Sequence, residues 1–187
     1  QYEQRFGSKL VALERRQQWA EKYPDDAGNR RSLIQLLGHL GKHDEARRTL
    51  EELIRDHGKD LSNTILAARV EAAAGDVDAG RDILEQYVQD REDAANVDEW
   101  IGLAHYLAEH KGMDTAIVAY EQARAVDDSP TKYATRVLAA RLESSGQPDK
   151  AEPLYRQLYE SFPVDHQIAE GFARLLIFLG NADEARD

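Results

Sequence analysis

The sequence lacks cysteine altogether in its 187 residues. This absence excludes disulfide bonds, zinc sites built on thiolates and cysteine nucleophiles. Aromatic residues make up only 7% of the chain while alanine is plentiful, a balance that favours close packing of helices. No stretch approaches about 18 consecutive apolar residues, so we expect no insertion into a membrane. The absence of cysteine fits the cytoplasm and the bacterial periplasm equally well, so the localisation stays open.

Positive charge is also in short supply. The chain carries 24 Lys and Arg residues against 35 Asp and Glu residues, a formal net charge of −11. Such an acidic chain repels a phosphate backbone, so nucleic acid is not expected as a ligand. The same repulsion argues against binding to anionic membranes.

Patterns that carry chemistry are missing as well. Gly41 separates His39 from His43, and the spacing of His105 and His110 makes them point apart on a helix. A zinc site needs three or four convergent ligands, and a phosphate-binding loop needs clustered glycines, whereas the glycines here occur singly. We therefore expect no catalytic residue, no metal and no cofactor, and the chain is not predicted to be an enzyme. Because it opens on Gln1 without Met or an apolar leader, we expect a fragment or a processed form.

A turn block recurs along the chain at a period of about 34 residues, which is typical of stacked helix pairs. Each block is a glycine followed five residues later by a small residue, with one copy shortened to four. The blocks are Gly7 with Ala12, Gly41 with Ala46, Gly75 with Gly80, Gly112 with Ala116, Gly146 with Ala151, and Gly180 with Ala185.

The segments between these blocks predict alternating helices. Pro130 suits the first turn of a helix, where no backbone N–H is needed. The predicted helices lie near Ser8–Lys22, 27–40, 43–57, 61–74, 77–90, 97–110, 113–126, 131–145, 149–161 and 165–179.

The pattern resembles the tetratricopeptide repeat family along essentially the whole chain. Bulky residues recur at repeat position 7 and small ones at position 8, as in that family; examples are Leu33, Leu103, Leu138 and Phe172, and Ala68, Ala104 and Ala139. The resemblance implies an all-α solenoid, a right-handed superhelix of antiparallel helix pairs. We expect one array over residues 1–187: the second helix of a truncated repeat at 8–26, repeats at 27–60, 61–96, 97–131 and 132–165, and a truncated repeat at 166–187.

Two departures from the repeat stand out. Glu71 occupies a position where the family has Leu. The charged junction Asp90–Asn96 holds two extra residues, which we interpret either as a tolerated insertion or as a mobile hinge. The last predicted helix is strongly apolar, so we also expect end-to-end self-association through Phe172, Leu175, Leu176 and Phe178.

The resemblance also implies which residues face the inner groove of the repeats. Arginine is well suited to bidentate recognition of carboxylates, so these residues predict an acidic protein or peptide partner. The alternative is that the arginines pair with Glu71, Glu109, Glu143 and Glu170 of the same helices, and both interpretations stay open. The candidate groove residues are Arg31, Gln35, His39, Ile65, Arg69, Ile101, His105, Arg136 and Arg174.

The leading functional hypothesis is a non-catalytic scaffold that binds a protein or peptide segment in this groove. The alternatives are a structural spacer or self-associating array, the periplasmic part of a bacterial exopolysaccharide export protein, and the recognition arm of a larger enzyme.

Overall fold

The computed structural model describes residues 2–91 and 96–186, with side chains at residues 8–91 and 96–185. The chain separates into two compact units, Gln1–Asp93 and Ala94–Asp187. Within the described ranges no residue lies in a β-strand, and the predicted all-helical class is confirmed. No helix in these ranges combines the length and apolar character needed to cross a membrane.

The first unit is built from consecutive helices that each pack against the next one. Short turns join them, so α2 and α3 form one antiparallel pair, and α4 and α5 form another. The first helices of these pairs, α2 and α4, also pack against each other. In the described part of this unit the helices are α1 (Tyr2–Lys22), α2 (Ala27–His39), α3 (His43–His57), α4 (Leu61–Ala73) and α5 (Val77–Asp90).

The second unit follows the same plan, and it ends in a single 3₁₀ turn at Glu184–Arg186. Helix α6 packs against α7, α7 against α8, α8 against α9, and α9 against α10. Its described helices are α6 (Val97–Lys111), α7 (Met113–Val126), α8 (Tyr133–Ser144), α9 (Pro148–Ser161) and α10 (His166–Phe178).

Local sequence signals explain where most helices begin. The carboxylates of Asp26, Asp60 and Asp76 each accept a backbone N–H three residues later, at 2.8, 2.7 and 2.9 Å. These caps satisfy donors that the first helical turn leaves unpaired. Helix α6 begins with a capping box, in which Asn96 and Glu99 accept each other's backbone N–H.

The small residues of the repeat lie in the core. Ala46, Ala104 and Ala139 are all completely buried. Larger apolar residues fill the remaining space, and in the first unit a continuous cluster joins all helices from α1 to α4. It consists of Leu13, Leu33, Ile34, Leu37, Ala46, Leu50, Leu53, Leu66 and Val70.

The structure corrects two sequence-based expectations. The first helix begins at Tyr2, so Gly7 lies inside α1 and not in a turn. Pro130 does not open α8, which begins three residues later. The reason is Asp127, whose carboxylate accepts the backbone N–H groups of Ser129 and Ala134 at 3.0 and 2.8 Å and holds the chain in a turn.

The apolar last helix is largely buried within its own unit, and the predicted self-association stays a prediction. Phe172, Leu175 and Leu176 are buried within the second unit, and the ring of Tyr159 on α9 packs against Phe172 with centroids 5.8 Å apart. Only Phe178 of the predicted self-association residues is exposed. The expected hinge at Asp90–Asn96 includes residues 92–95, which lie outside the described residues.

Candidate binding groove

Four of the predicted groove residues meet in one depression of the first unit, between α2 and α4. We call this depression the α2/α4 groove. Its volume is about 300 Å³, near the lower end of the range for ligand pockets. It is lined by Arg31, Gln35, Ser62, Ile65, Leu66 and Arg69.

The repeat geometry explains why these side chains converge. Arg31 and Gln35 are four residues apart on α2, and Ile65 and Arg69 are four residues apart on α4, so each pair lies on one helix face. Because α2 and α4 pack against each other, the two faces border the same depression.

Arg31 is held at one side of the groove by groups of α4 and its cap. Its Nε donates to Oδ1 of Asn63 at 2.9 Å, and its second guanidinium nitrogen lies 3.2 Å from Oδ2 of Asp60. Asn63 is fully buried and donates to the carbonyl of Gly58 at 2.8 Å. This network orients Arg31 and neutralises part of its charge.

Arg69 is different because its charge has no acidic partner nearby. The side chain is exposed, and within the described residues it makes no ion pair and no side-chain hydrogen bond. The groove therefore presents one uncompensated guanidinium beside the half-buried Ile65 and the buried Leu66.

Glu71, on the same helix as Arg69, is occupied elsewhere. Arg47 of α3 donates to both of its carboxylate oxygens, at 2.9 and 2.7 Å. These hydrogen bonds lower the pKa of Glu71 against the opposing effect of burial. The charge at this unusual repeat position thus links α3 to α4 and is not a partner of Arg69.

Two further predicted groove residues of the second unit already have acidic partners. Arg136 forms an ion pair of 2.9 Å with Asp165, and its guanidinium lies 5.0 Å from the centre of the Phe162 ring. The hydrogen bond from Arg136 lowers the pKa of Asp165. Arg174 reaches Glu143 at 3.2 Å, so of the four predicted glutamate partners only Glu143 pairs with a groove arginine in the described structure.

The remaining candidates do not line the α2/α4 groove. Ile101 is only 5% exposed and packs in the core of the second unit with Ala123 and Ala134, so it offers no surface to a partner. The ring of His105 packs edge-on against Tyr120 at 5.8 Å. His39 is exposed, and its Nδ1 lies 2.7 Å from the carbonyl oxygen of Gln35.

Two lining residues were not among the predicted site residues. Ser62 occupies repeat position 2, one of the inner-face positions, and the register alone would have pointed to it. Leu66 is almost completely buried, and no role was predicted for it from the sequence. Among the described residues, no three His, Asp or Glu side chains converge as a metal site requires.

Two models of one family match this sequence, and both carry the description tetratricopeptide repeat. One matches residues 136–187, and the other matches residues 30–52 and 64–86. The chain belongs to the tetratricopeptide repeat family. Helix repeats of this kind are scaffolds for protein interaction, and protein or peptide partners follow from the family. A comparison with curated protein sequences finds no match.

Solved structures of other tetratricopeptide repeat chains resemble this one in fold. The TPR-like repeats of a putative kinesin light chain from Podosopora anserina align with a TM-score of 0.56 at 20% identity, covering 84% of this chain and 88% of that chain. A tetratricopeptide repeat protein from Parabacteroides merdae aligns with a TM-score of 0.52 at 16% identity, covering 96% of this chain and 70% of that one.

Proposed function

We propose that this chain is a non-catalytic scaffold whose α2/α4 groove binds a carboxylate-bearing segment of a partner protein. The observation that carries the proposal is the uncompensated Arg69 in a depression with an apolar floor. In a chain of net charge −11, such a cation is a local exception that favours an acidic ligand over a basic one.

The chemistry of the groove specifies the ligand further. A guanidinium presents parallel N–H donors that match the two oxygens of a carboxylate. Arg31, tied to Asp60 and Asn63, is held in place and contributes a second, weaker positive charge. The half-buried Ile65 supplies apolar surface next to both arginines. The ligand that fits is a peptide with an Asp or Glu close to an apolar residue.

Gln35 is a suitable position for crosslinking to this ligand because it is exposed and lines the groove. We would place a photoreactive amino acid at position 35, crosslink in cells and identify the captured protein. The affinity of its acidic segment would then be measured by calorimetry for the wild type and for Arg69→Glu. We expect Arg69→Glu to weaken binding at least about tenfold, a loss of about 1.4 kcal/mol.

Arg48 provides a matched control. It is an exposed arginine of α3 outside the groove, and it has no ion pair within the described residues. Arg48→Glu changes the net charge as Arg69→Glu does and should leave the affinity unchanged. Binding should also weaken as salt rises, because exposed charges are screened. Equal affinities of the wild type and Arg69→Glu would refute the groove as the binding site.

Self-association is a second candidate function, favoured by one specific surface. Ile177 and Phe178 at the end of α10 are 61% and 76% exposed. Sedimentation velocity of the wild type and of Phe178→Ser tests it: association that grows with concentration and disappears in the variant supports this role. A monomer at all concentrations rejects it. The described residues favour neither a part in polysaccharide export nor an enzyme arm.

A further inference from the structure

Helix α1 carries a second and larger depression on a face away from the α2/α4 groove. Its volume is about 620 Å³, and we call it the α1 groove. Residues 8, 12, 15 and 19 recur every three or four positions, so they form one stripe along the helix. The lining residues are Ser8, Val11, Ala12, Arg15, Arg16, Trp19 and Asn29, none of which lines the α2/α4 groove.

The apolar part of the α1 groove is exposed but well ordered. Val11 and Trp19 are 49% and 48% exposed, whereas Leu13, on another face of α1, is buried in the core of the unit. The indole N–H of Trp19 donates to Asp26 at 2.9 Å, and its ring lies 4.5 Å from the ring of Tyr23. These contacts fix the indole, so its apolar surface is presented without the entropy cost of ordering it on binding.

The charged part of the α1 groove is positive. Arg15 is exposed and makes no ion pair or hydrogen bond with any described residue, and Arg16 donates to the side chain of Asn29 at 3.2 Å. Glu21 of α1 lines a separate depression together with Gln17 and Ala20. Of the acidic side chains that the structure describes on α1, neither Glu14 nor Glu21 lines the α1 groove.

We propose that the α1 groove binds an acidic amphipathic helix of a partner protein. The stripe from Ser8 to Trp19 extends for about 16 Å, the length of three helical turns. Apolar residues of the bound helix at i, i+4 and i+7 would pack on Val11, Ala12 and Trp19. Carboxylates next to them would pair with Arg15 and Arg16. Trp and Arg are the residues that most often dominate the energy of protein interfaces, and here both border one depression.

The proposal can be tested with a displayed library of 16-residue peptides selected on the full chain. Selected peptides would be synthesised, and their binding measured by fluorescence anisotropy to the wild type, Arg15→Glu and Trp19→Ala. We expect the enriched sequences to combine apolar residues at i, i+4 and i+7 with neighbouring Asp or Glu. Arg15→Glu should weaken their binding at least tenfold.

Two control variants separate this surface from the α2/α4 groove. Arg48→Glu makes the same charge change on a different helix, and Arg69→Glu disables the other groove; neither should affect these peptides. Peptides that lose affinity with Arg69→Glu and not with Arg15→Glu would overturn the proposal without touching the proposed function. Because Arg15 is exposed, circular dichroism of Arg15→Glu should match that of the wild type. If Trp19→Ala unfolds, the binding measured with Arg15→Glu still decides the test.

Three other results would overturn the proposal. The first is enrichment of basic peptides, and the second is undiminished binding of acidic peptides to Arg15→Glu. The third is self-association of the wild-type protein that disappears in Arg15→Glu, which would assign the α1 groove to a second copy of this chain.

Discussion

Two tyrosines of the second unit show how the same residue type differs in energetic role. Tyr120 is completely buried, and its hydroxyl has no hydrogen-bond partner among the described residues, so burial raises its pKa to about 12. Tyr155 donates to Glu143 at 2.8 Å, and burial together with that carboxylate raises its pKa to about 12. The two hydroxyl groups are thus similar in pKa but not in bonding.

Replacement by phenylalanine should separate them. An unpaired buried hydroxyl costs free energy, so Tyr120→Phe should leave the stability unchanged or raise it by up to about 1 kcal/mol. Tyr155→Phe removes a hydrogen bond to a charged group and should lower the stability by about 1–2 kcal/mol. Urea unfolding followed by circular dichroism measures both, and a loss of stability in Tyr120→Phe would reveal a partner for its hydroxyl.

Asp127 is the carboxylate most directly tied to the backbone between α7 and α8. Burial acts to raise its pKa, but hydrogen bonds from Ser129 and from the backbone of Ala134 outweigh that effect and keep the pKa below its ordinary value. A folded-state pKa below the unfolded value means that the ionised form stabilises the fold. This contribution is complete above the unfolded pKa and is lost as the pH falls through the lowered folded pKa.

Asp127→Asn should therefore lower the stability by about 1–2 kcal/mol at pH 7, because the amide nitrogen that replaces one carboxylate oxygen cannot accept one of the two hydrogen bonds. The difference from the wild type should shrink as the solution is acidified below pH 4, as measured by urea unfolding between pH 2 and pH 7. The neighbouring Asp128 is exposed, and Asp128→Asn serves as the control. A difference that does not change with pH would contradict this role of the carboxylate.

At the scale of elements, a glycine in a turn between helices and a glycine inside a helix have different roles. Gly75, between α4 and α5, has a φ of 97°, in the region that side chains disfavour. Gly38 lies inside α2, and a methyl group there would meet Ala73 Cβ at 3.8 Å, an ordinary contact. The same substitution should therefore have opposite effects at the two positions.

Gly75→Ala should lower the stability by about 1–2 kcal/mol because it forces a strained backbone at the turn. Gly38→Ala should raise it by about 0.5–1 kcal/mol because alanine favours the helix and restricts the unfolded chain. Thermal unfolding of the two variants beside the wild type measures both effects. Equal changes of the same sign would mean that the turn adapts its backbone to a side chain.

At the scale of the whole molecule, charge imbalance is the dominant electrostatic feature. The net charge of −11 produces self-repulsion in the folded state, while pairs such as Lys150–Asp114 lie at the surface and contribute little. Salt screens both the repulsion and the ion pairs, and we expect the repulsion to have the larger effect on the free energy of unfolding. Raising NaCl from 10 to 200 mM should increase the melting temperature by about 2–4 °C, equivalent to about 1 kcal/mol for a chain of this size.

The measurement is differential scanning calorimetry, with sucrose at matched osmolality as a neutral control. A melting temperature that falls with salt would mean that ion pairs such as Arg47–Glu71 stabilise the fold more than the excess negative charge destabilises it.

The sequence by itself determined the helices and the family, because the signals for both are local. A capping carboxylate such as Asp60 and a turn glycine such as Gly75 act within a few residues of their own position. The alternation of small and large apolar residues likewise reports which face of a helix is buried, and Ala104 and Leu138 are buried as the repeat predicts. The predicted start of α8 was wrong because a side chain acts there over a longer span: the carboxylate of Asp127 accepts the backbone N–H of Ala134.

Only the tertiary structure decided which of the predicted groove residues are available to a partner. Arg69, Arg136 and Arg174 occupy the two repeat positions that carry the groove arginines. Asp165 neutralises Arg136 and Glu143 neutralises Arg174, whereas Arg69 has no acidic partner among the described residues. Asp165 and Glu143 lie about 30 residues away in sequence from the arginines with which they pair. Arg47 of α3 pairs in the same way with Glu71, which lies on the same helix as Arg69. Such pairings depend on which helix faces meet in space, and helical periodicity within one segment carries no information about them.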